Sequence, residues 1–229
     1  MLHLENILVR QGNFALSAHL TNPTGARVAL MGASGSGKST FLSTLAGFIW
    51  PDEGRLSLNG RDITRVPVAE RPISILFQDG NLFPHLNVSD NIALGLSPSL
   101  KLSAADRGRV AEALEKVDLG GMGDRRPSEL SGGQQSRVAL ARMLLRDKPV
   151  ALLDEPFAAL DPGLRREMLG LVRDLCEETG QTLIMATHDL RDAERLCDRV
   201  LLLEGGQVVL NEPLMEAIAS NAAPLRPWM

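Results

Sequence analysis

Residues Arg27 to Thr40 constrain the fold more than any other stretch of this 229-residue chain. The apolar run Val28–Met31 reads as a strand and leads directly into Gly32, Ala33, Ser34, Gly35, Ser36, Gly37, Lys38, Ser39 and Thr40. Gly32, Gly37, Lys38 and Ser39 complete the spacing G-x-x-x-x-G-K-[ST], the phosphate-binding loop of nucleotide triphosphatases. Glycines at 32, 35 and 37 tolerate positive φ and carry no Cβ, so backbone N–H groups can turn inward around phosphate oxygens. Lys38 sets a point charge beside the β- and γ-phosphates, and the Ser39 hydroxyl is placed to ligate Mg²⁺. Lys38–Ala46 reads as a helix whose positive N-terminal end faces the anion. The spacing arises by chance in roughly one chain in a hundred of this length. Here it also has the strand before it and the helix after it that the chemistry requires.

Composition narrows the class. Hydrophobic residues make up 44% and charged residues 23%, as in an ordinary globular protein. The aromatic share is 3% with no Tyr, so the core must be built from Leu, Val, Ile, Ala and Met. A net charge of −4 argues against a nucleic-acid partner, which selects a basic excess. No apolar run approaches the length of a membrane span, and Met1–Asn6 lacks the basic and apolar regions of a secretory signal. Cys176 and Cys197 fall in helix-like stretches without metal-ligand spacing and read as buried thiols of a reducing compartment. The expected location is cytoplasmic.

The rest of the chain reads as follows. Leu2–Leu4, Ile7–Val9 and Phe14–Leu20 are strand-like, and Arg55–Leu58 followed by Asn59–Gly60 predicts a hairpin. Ile73–Phe77 is another strand. From Asp79 helical periodicity takes over, at Ser89–Leu94, Ala104–Val117 and Gln134–Arg146, and reads as an inserted helical lobe over about 79–146. Strands at Val150–Leu153, Thr182–Thr187, Val200–Leu203 and Gln207–Leu210 then alternate with helices at Pro162–Glu178 and Leu190–Leu196. This alternation predicts one α/β domain over 1–229, its core at about 1–78 and 147–229.

Four apolar runs end on polar groups: at the phosphate loop, at Gln78, at Asp154 with Glu155, and at His188. In a parallel sheet, ligands bind beyond the carboxyl ends of the strands, so these groups should converge. Asp154 can hold Mg²⁺, as can the amide oxygen of Gln78, whose NH₂ can also meet the attacking water as part of the catalytic set. Glu155, one residue along a strand, would face away from the metal and serve as general base for the attacking water. His188 can donate an N–H to the γ-phosphate.

Leu130–Gln134 carries a second signal. Ser131 and Gln134 fit a capping box for a helix starting near Gln134. Gly132 and Gly133 bare the helix N-terminus, which makes a second phosphate-binding surface. One nucleotide has one γ-phosphate, so two such surfaces on one chain suggest a two-fold dimer in which each subunit covers the other's nucleotide.

With these residues, and with Ala158–Asp161 and Thr187–Asp189, the chain resembles the ATP-binding cassette family from about residue 2 to about 220. That resemblance implies a P-loop fold with a mainly parallel core sheet, an antiparallel β edge and an inserted helical lobe. It implies head-to-tail dimers that sandwich MgATP, with Ser131, Gly132, Gly133 and Gln134 acting in trans, Glu155 as base, His188 as the switch histidine and Asp161 in the dimer-contact loop. The chain departs from the family at the base: where an aromatic usually stacks on adenine near residue 11, it has Arg10 and Gln11, with Phe14 as a weak substitute. Ser136 and Asp192 also stand where the family has Gln and Glu.

Two classes compete within the family: a transport motor docked on a separate membrane permease, and a soluble cassette acting on nucleic acid or ribosomes. The chain carries neither the long coiled coil nor the doubled cassette of the second class. Asn81–Ile92 is similar to the importer segment that receives a permease helix, with Leu82, Phe83 and Pro84 as candidate anchors. Arg71–Leu102, and Leu94–Leu102 above all, resembles the thiamine-importer branch rather than the iron, polyamine or sulfate branches. The resemblance places such a subunit at the cytoplasmic face of the bacterial inner membrane, with a periplasmic binding protein as its indirect partner.

Overall fold

The computed structural model describes residues 1–77, 81–158 and 160–229. Its frame is a sheet of ten strands among the described residues, in the order β5-β4-β1-β2-β10-β9-β3-β8-β7-β6. In chain order the strands are β1 Leu2–Gln11, β2 Phe14–Asn22, β3 Arg27–Met31, β4 Glu53–Leu58, β5 Arg61–Asp62, β6 Ile73–Leu76, β7 Val150–Asp154, β8 Thr182–Ala186, β9 Arg199–Glu204 and β10 Gln207–Pro213. Strands β9, β3, β8, β7 and β6 run parallel, and β2, β1, β4 and β5 form the antiparallel edge. The helices are α1 Lys38–Ala46, α2 Val88–Ala93, α3 Ala104–Lys116, α4 Gly132–Leu145, α5 Pro162–Thr179, α6 Leu190–Leu196 and α7 Leu214–Ala219.

The two faint strand signals at the N-terminus are one strand. Leu2, Leu4, Ile7 and Val9 are all buried, although a spacing of three between Leu4 and Ile7 would put them on opposite faces of a regular strand. A bulge between these two residues restores the alternation, with Asn6 at φ 48°. Gly54 faces that bulge: a Cβ there would lie 2.2 Å from the Asn6 carbonyl oxygen. The expected hairpin is present, with Asn59 at φ 50° and Gly60 at φ 80° joining β4 to β5 as a primed turn requires.

The parallel strands are apolar on both faces because both are covered. Val28, Leu30, Leu152, Ile184 and Leu201 pack with α1 beneath the antiparallel edge. Ala29, Met31, Leu153, Met185 and Leu202 pack with α4, α5, α6 and α7 on the other side. Helices α2, α3 and α4 share a further core around Val88, Ile92, Val110, Leu114 and Val117. Helix α4 joins the two: Val138 and Ala141 face this core, while Ala139, Leu140 and Met143 face the sheet.

A cation is built into the interior beside α1. Arg71 is 1% exposed, and its guanidinium donates to the carbonyls of Thr44 at 2.7 Å, Leu45 at 2.5 Å, Val66 at 2.8 Å and Thr64 at 2.9 Å. Burial draws its pKa down from the usual arginine value. The cation sits at the negative end of α1, opposite the end that faces the phosphate loop, and ties that helix to the segment entering β6.

Candidate functional site

Strand β3 delivers the loop at the carboxyl edge of the parallel sheet, where strand-end ligand sites lie. Gly32 takes φ 150°, and a Cβ on it would lie 2.4 Å from the Leu203 carbonyl oxygen. Gly37 takes φ 106°, and a Cβ there would lie 2.7 Å from the Phe14 ring. Gly35, at φ 77°, has open space around it, so its requirement is conformational alone. Gly37 is also the N-cap of α1 and offers no side-chain acceptor, which leaves the N–H groups of the first turn available to an anion. The Lys38 ammonium lies over the loop and donates to the carbonyls of Gly32 at 2.8 Å and Ala33 at 3.1 Å.

Asp154 ends β7 beside this loop, and its carboxylate accepts a hydrogen bond from the Ser39 hydroxyl. Burial, with the Glu155 charge, pushes the Asp154 carboxyl up; the Ser39 bond and Lys38 oppose that shift. Two hard oxygen donors side by side fit Mg²⁺. Phosphate oxygens of a bound nucleotide are donors of the same hard kind.

Glu155 departs from the strand reading. Strand β7 stops at Asp154, and Glu155 takes φ 45°, a left-handed conformation rare outside glycine. Its direction is therefore set by a turn rather than by strand alternation; the turn is held by its N–H donating to the Ala186 carbonyl at 3.2 Å. One Glu155 carboxylate oxygen lies 3.3 Å from His188 Nδ1. The Glu155 side chain is 27% exposed and that of His188 59%, so the base candidate is sheltered and the histidine open. His188 stands two residues beyond β8. Its loop is fixed by the Thr187 N–H donating to the Leu30 carbonyl at 3.1 Å and by the Asp189 N–H donating to the Thr187 hydroxyl at 3.1 Å. Behind it, Arg165 Nε donates to the buried Asp192 carboxylate at 2.6 Å, which joins α5 to α6.

These groups line one cleft of about 660 Å³: the loop, Glu155 and His188, with Gln11, Phe14 and Trp228 completing the wall. Thr40 donates to the Gln11 side-chain oxygen at 3.2 Å. Of the three candidates for meeting the base, Gln11 and Phe14 are in the wall. Arg10 is instead paired with Glu53 at 2.7 Å, and its N–H donates to Asp52 at 2.7 Å. Gln78 lies outside the described residues. Trp228 carried no signal in the sequence: it follows the last regular helix, and only long-range packing brings it here.

Ser131 caps α4 as expected, its hydroxyl accepting from Gln134 N–H at 3.3 Å while the Gln134 side chain accepts from Ser131 N–H at 2.9 Å. The helix begins at Gly132, earlier than Gln134, because Gln134 occupies the third helical position of the box. The two glycines differ: a Cβ on Gly132 meets open space, whereas one on Gly133 would lie 2.0 Å from the Leu164 side chain. Gly133 is thus a packing residue and Gly132 the one that bares the surface. None of Ser131, Gly132, Gly133 and Gln134 belongs to the cleft wall. Asp161 caps α5, its carboxylate accepting from Gly163 N–H at 3.0 Å and Leu164 N–H at 3.1 Å.

A separate groove of about 370 Å³ lies between the sheet edge and the helical region, with Phe48, Val68, Phe77 and Phe83 in its lining. Phe83 is 46% exposed, while Leu82 packs into the cores on both sides of α4. Asn91 pins this segment, donating to the Phe83 carbonyl at 3.0 Å and accepting from the Phe83 N–H at 2.8 Å.

A phosphate loop at the carboxyl edge of a parallel sheet, beside an acidic strand end and a sheltered carboxylate paired with an open histidine, defines a P-loop nucleotide triphosphatase. More narrowly, the chain belongs to the ABC transporter family, whose sequence pattern matches residues 16–158. It is 76% identical over 229 residues to the thiamine import ATP-binding protein ThiQ of Jannaschia sp. (strain CCS1), an alignment covering 100% of both chains. It is 51% identical to the ThiQ of Cereibacter sphaeroides, with 100% of this chain and 99% of that one covered. Among solved structures, the fold is similar to the ATP-binding cassette MJ0796, a dimer bound to ADP and Pi. That likeness has a TM-score of 0.80 and 32% identity, covering 93% of this chain and 99% of that one. A second likeness is to cbiO1 of Clostridium perfringens, part of the ABC transporter complex cbiONQ, with TM-score 0.86, 29% identity and coverage of 99% and 93%. The P-loop fold with an antiparallel edge is thereby that of an ABC ATPase, and ATP hydrolysis coupled to transport is its activity.

Proposed function

We propose that this chain is the ATP-hydrolysing motor of a thiamine importer, working as a pair of copies beneath a separate membrane permease. Its substrate assignment rests on full-length identity of 76% to a thiamine import ATP-binding protein. The observation that carries the paired mechanism is the separation of Ser131–Gln134 from the cleft that holds Gly32–Thr40. A surface suited to a phosphate, absent from its own chain's phosphate site, serves the site of a second copy.

In this reading each chain binds MgATP along Gly32 to Thr40, with Lys38 against the β- and γ-phosphates. Ser39, Asp154 and Gln78 hold the Mg²⁺, which neutralises phosphate charge when bound. Ser131, Gly132 and Gln134 of one copy close over the γ-phosphate of the other, and Asp161 lies in the contact between them. Glu155 takes the proton of the attacking water, and His188, held by that same carboxylate, donates to the γ-phosphate as charge develops there. Closure moves the helical unit at about 79–146 relative to the core at about 1–78 and 147–229. The exposed Phe83, with Pro84 and the groove beside them, passes that movement to the permease; Leu82 anchors the segment from within. A periplasmic binding protein delivers thiamine from the other side, which places this chain at the cytoplasmic face of the inner membrane. Among the described residues no helix is long and apolar enough to cross it.

The test is uptake of labelled thiamine by cells carrying the intact chain or Lys38→Ala. Loss of Lys38 is expected to cut uptake at least about tenfold, since a charge-assisted contact to the phosphates contributes on that order. Unchanged thiamine uptake, together with lost ATPase activity in the purified variant, would remove the thiamine assignment and leave the motor standing.

A further inference from the structure

The last turn of the chain reaches the nucleotide cleft. Ala223–Trp228 forms a 3₁₀ stretch after α7, anchored by Leu225, which is 0% exposed in the core beneath the sheet. It is stitched locally: Leu225 N–H donates to the Ala222 carbonyl at 2.9 Å, and the Arg226 side chain donates through Nε to the Asn221 carbonyl at 3.2 Å. Pro224 and Pro227 fix two further φ angles, so the turn has little freedom. It holds Trp228 half-buried against that core. Trp228 joins Ala33, Ser34 and Gly35 in the wall of the nucleotide cleft. It also borders a neighbouring hollow with Ser36 and Glu204, behind the loop.

This position matters because the loop holds its anion by backbone N–H groups and one ammonium. Those interactions weaken where water reaches them and strengthen where it is excluded. Ala33, Ser34 and Gly35 are exposed, and Trp228 shares the lining of both hollows with them. A tryptophan held by a proline-stiffened turn supplies a large, rigid surface with little rotamer entropy left to lose on binding. We infer that Trp228 is a nucleotide-contact residue, walling the phosphate-loop side of the cleft and retaining bound ATP and ADP by contact and by exclusion of water. The inference rests on the reading of this cleft as the ATP site. Its contacts are the same before and after bond breaking, so it acts on affinity and KM and leaves kcat in place.

The chain has two tryptophans, and Trp50 is 52% exposed, stacked under Arg65 outside the cleft. In Trp50→Phe, emission therefore reports Trp228 alone. Titration of that variant with MgADP and with MgATP is expected to shift its emission saturably, with a midpoint equal to the Kd from equilibrium dialysis. Trp228→Ala is expected to raise the Kd of both nucleotides by about three- to tenfold, the scale of one lost aromatic contact, and Trp228→Phe to recover most of it. Nucleotide that binds by dialysis while Trp228 emission stays flat overturns the inference, as does a Trp228→Ala Kd within about twofold of the parent. Should Trp228→Ala fail to fold, the emission titration and Trp228→Phe decide the matter. Dialysis that finds no nucleotide on the intact chain would instead bring down the ATP-site reading, and this inference with it.

Discussion

Glu155→Gln is expected to lower the steady-state ATPase rate by about 10²- to 10⁴-fold, the range spanned by a positioned general base, while MgATP still binds. The change is isosteric and leaves the left-handed turn at φ 45° unaltered in its steric demand, so the side chain keeps its place beside His188. What it removes is the proton acceptor. It also removes the like charge that helps push the neighbouring Asp154 carboxyl up, so Asp154 ionises more readily. Binding without hydrolysis accumulates the ATP-bound state, and in the paired account that state is the closed dimer. A sizing column run in MgATP should therefore show the variant at twice the mass of the chain alone. A rate within about tenfold of the parent would place the base elsewhere.

The second large effect concerns stability. Arg71→Met is expected to lower the unfolding free energy by about 3 kcal/mol, since taking this donor from the buried carbonyls of Thr44 and Leu45 and the partly buried ones of Thr64 and Val66 costs on the order of 1 kcal/mol each. Replacing a buried ion pair by apolar residues can be harmless when both partners go. Here the partners are the backbone carbonyls of Thr44, Leu45, Thr64 and Val66, which no substitution removes. A loss of that size should shift Tm by roughly 6–12 °C for a chain of this length, read by thermal or urea unfolding. A change under about 1 kcal/mol would mean that the desolvation of the cation had cancelled its hydrogen bonds. The residue also links function to fold, because it fastens the far end of the phosphate helix to the segment that enters β6 and leads to Gln78.

Much of the site was legible because its demands are local. Three glycines with required positive φ, a helix start and a polar residue at the end of an apolar run are all written within a few residues. Helices Lys38–Ala46 and Leu190–Leu196 accordingly have the bounds that periodicity and capping predict. Features set by distant packing were not legible. The bulge at Asn6 depends on Gly54 across the strand pair, and the left-handed turn at Glu155 depends on the Ala186 carbonyl of the next strand. Arg10 reads as a candidate for the base until Asp52 and Glu53, some forty residues on, are seen to occupy it. Nothing near Arg71 in the sequence marks it as buried, and nothing near Trp228 marks it as part of a cleft wall. In each case the deciding contact lies in another element, where neither period nor spacing carries a trace of it.

The central claim is that one chain binds the nucleotide and two hydrolyse it. The claim rests on a separation within the molecule: Gly32, Lys38, Ser39, Glu155 and His188 line one cleft, and Ser131, Gly132 and Gln134 lie outside it at the start of α4. The most direct measurement is the ATPase rate of the purified chain in saturating MgATP, followed as the chain is diluted over about two decades. Pairing predicts that at low concentration the rate rises with the square of chain concentration and becomes linear only once dimers dominate. A rate proportional to chain concentration throughout, from a chain that remains monomeric on sizing, would contradict it.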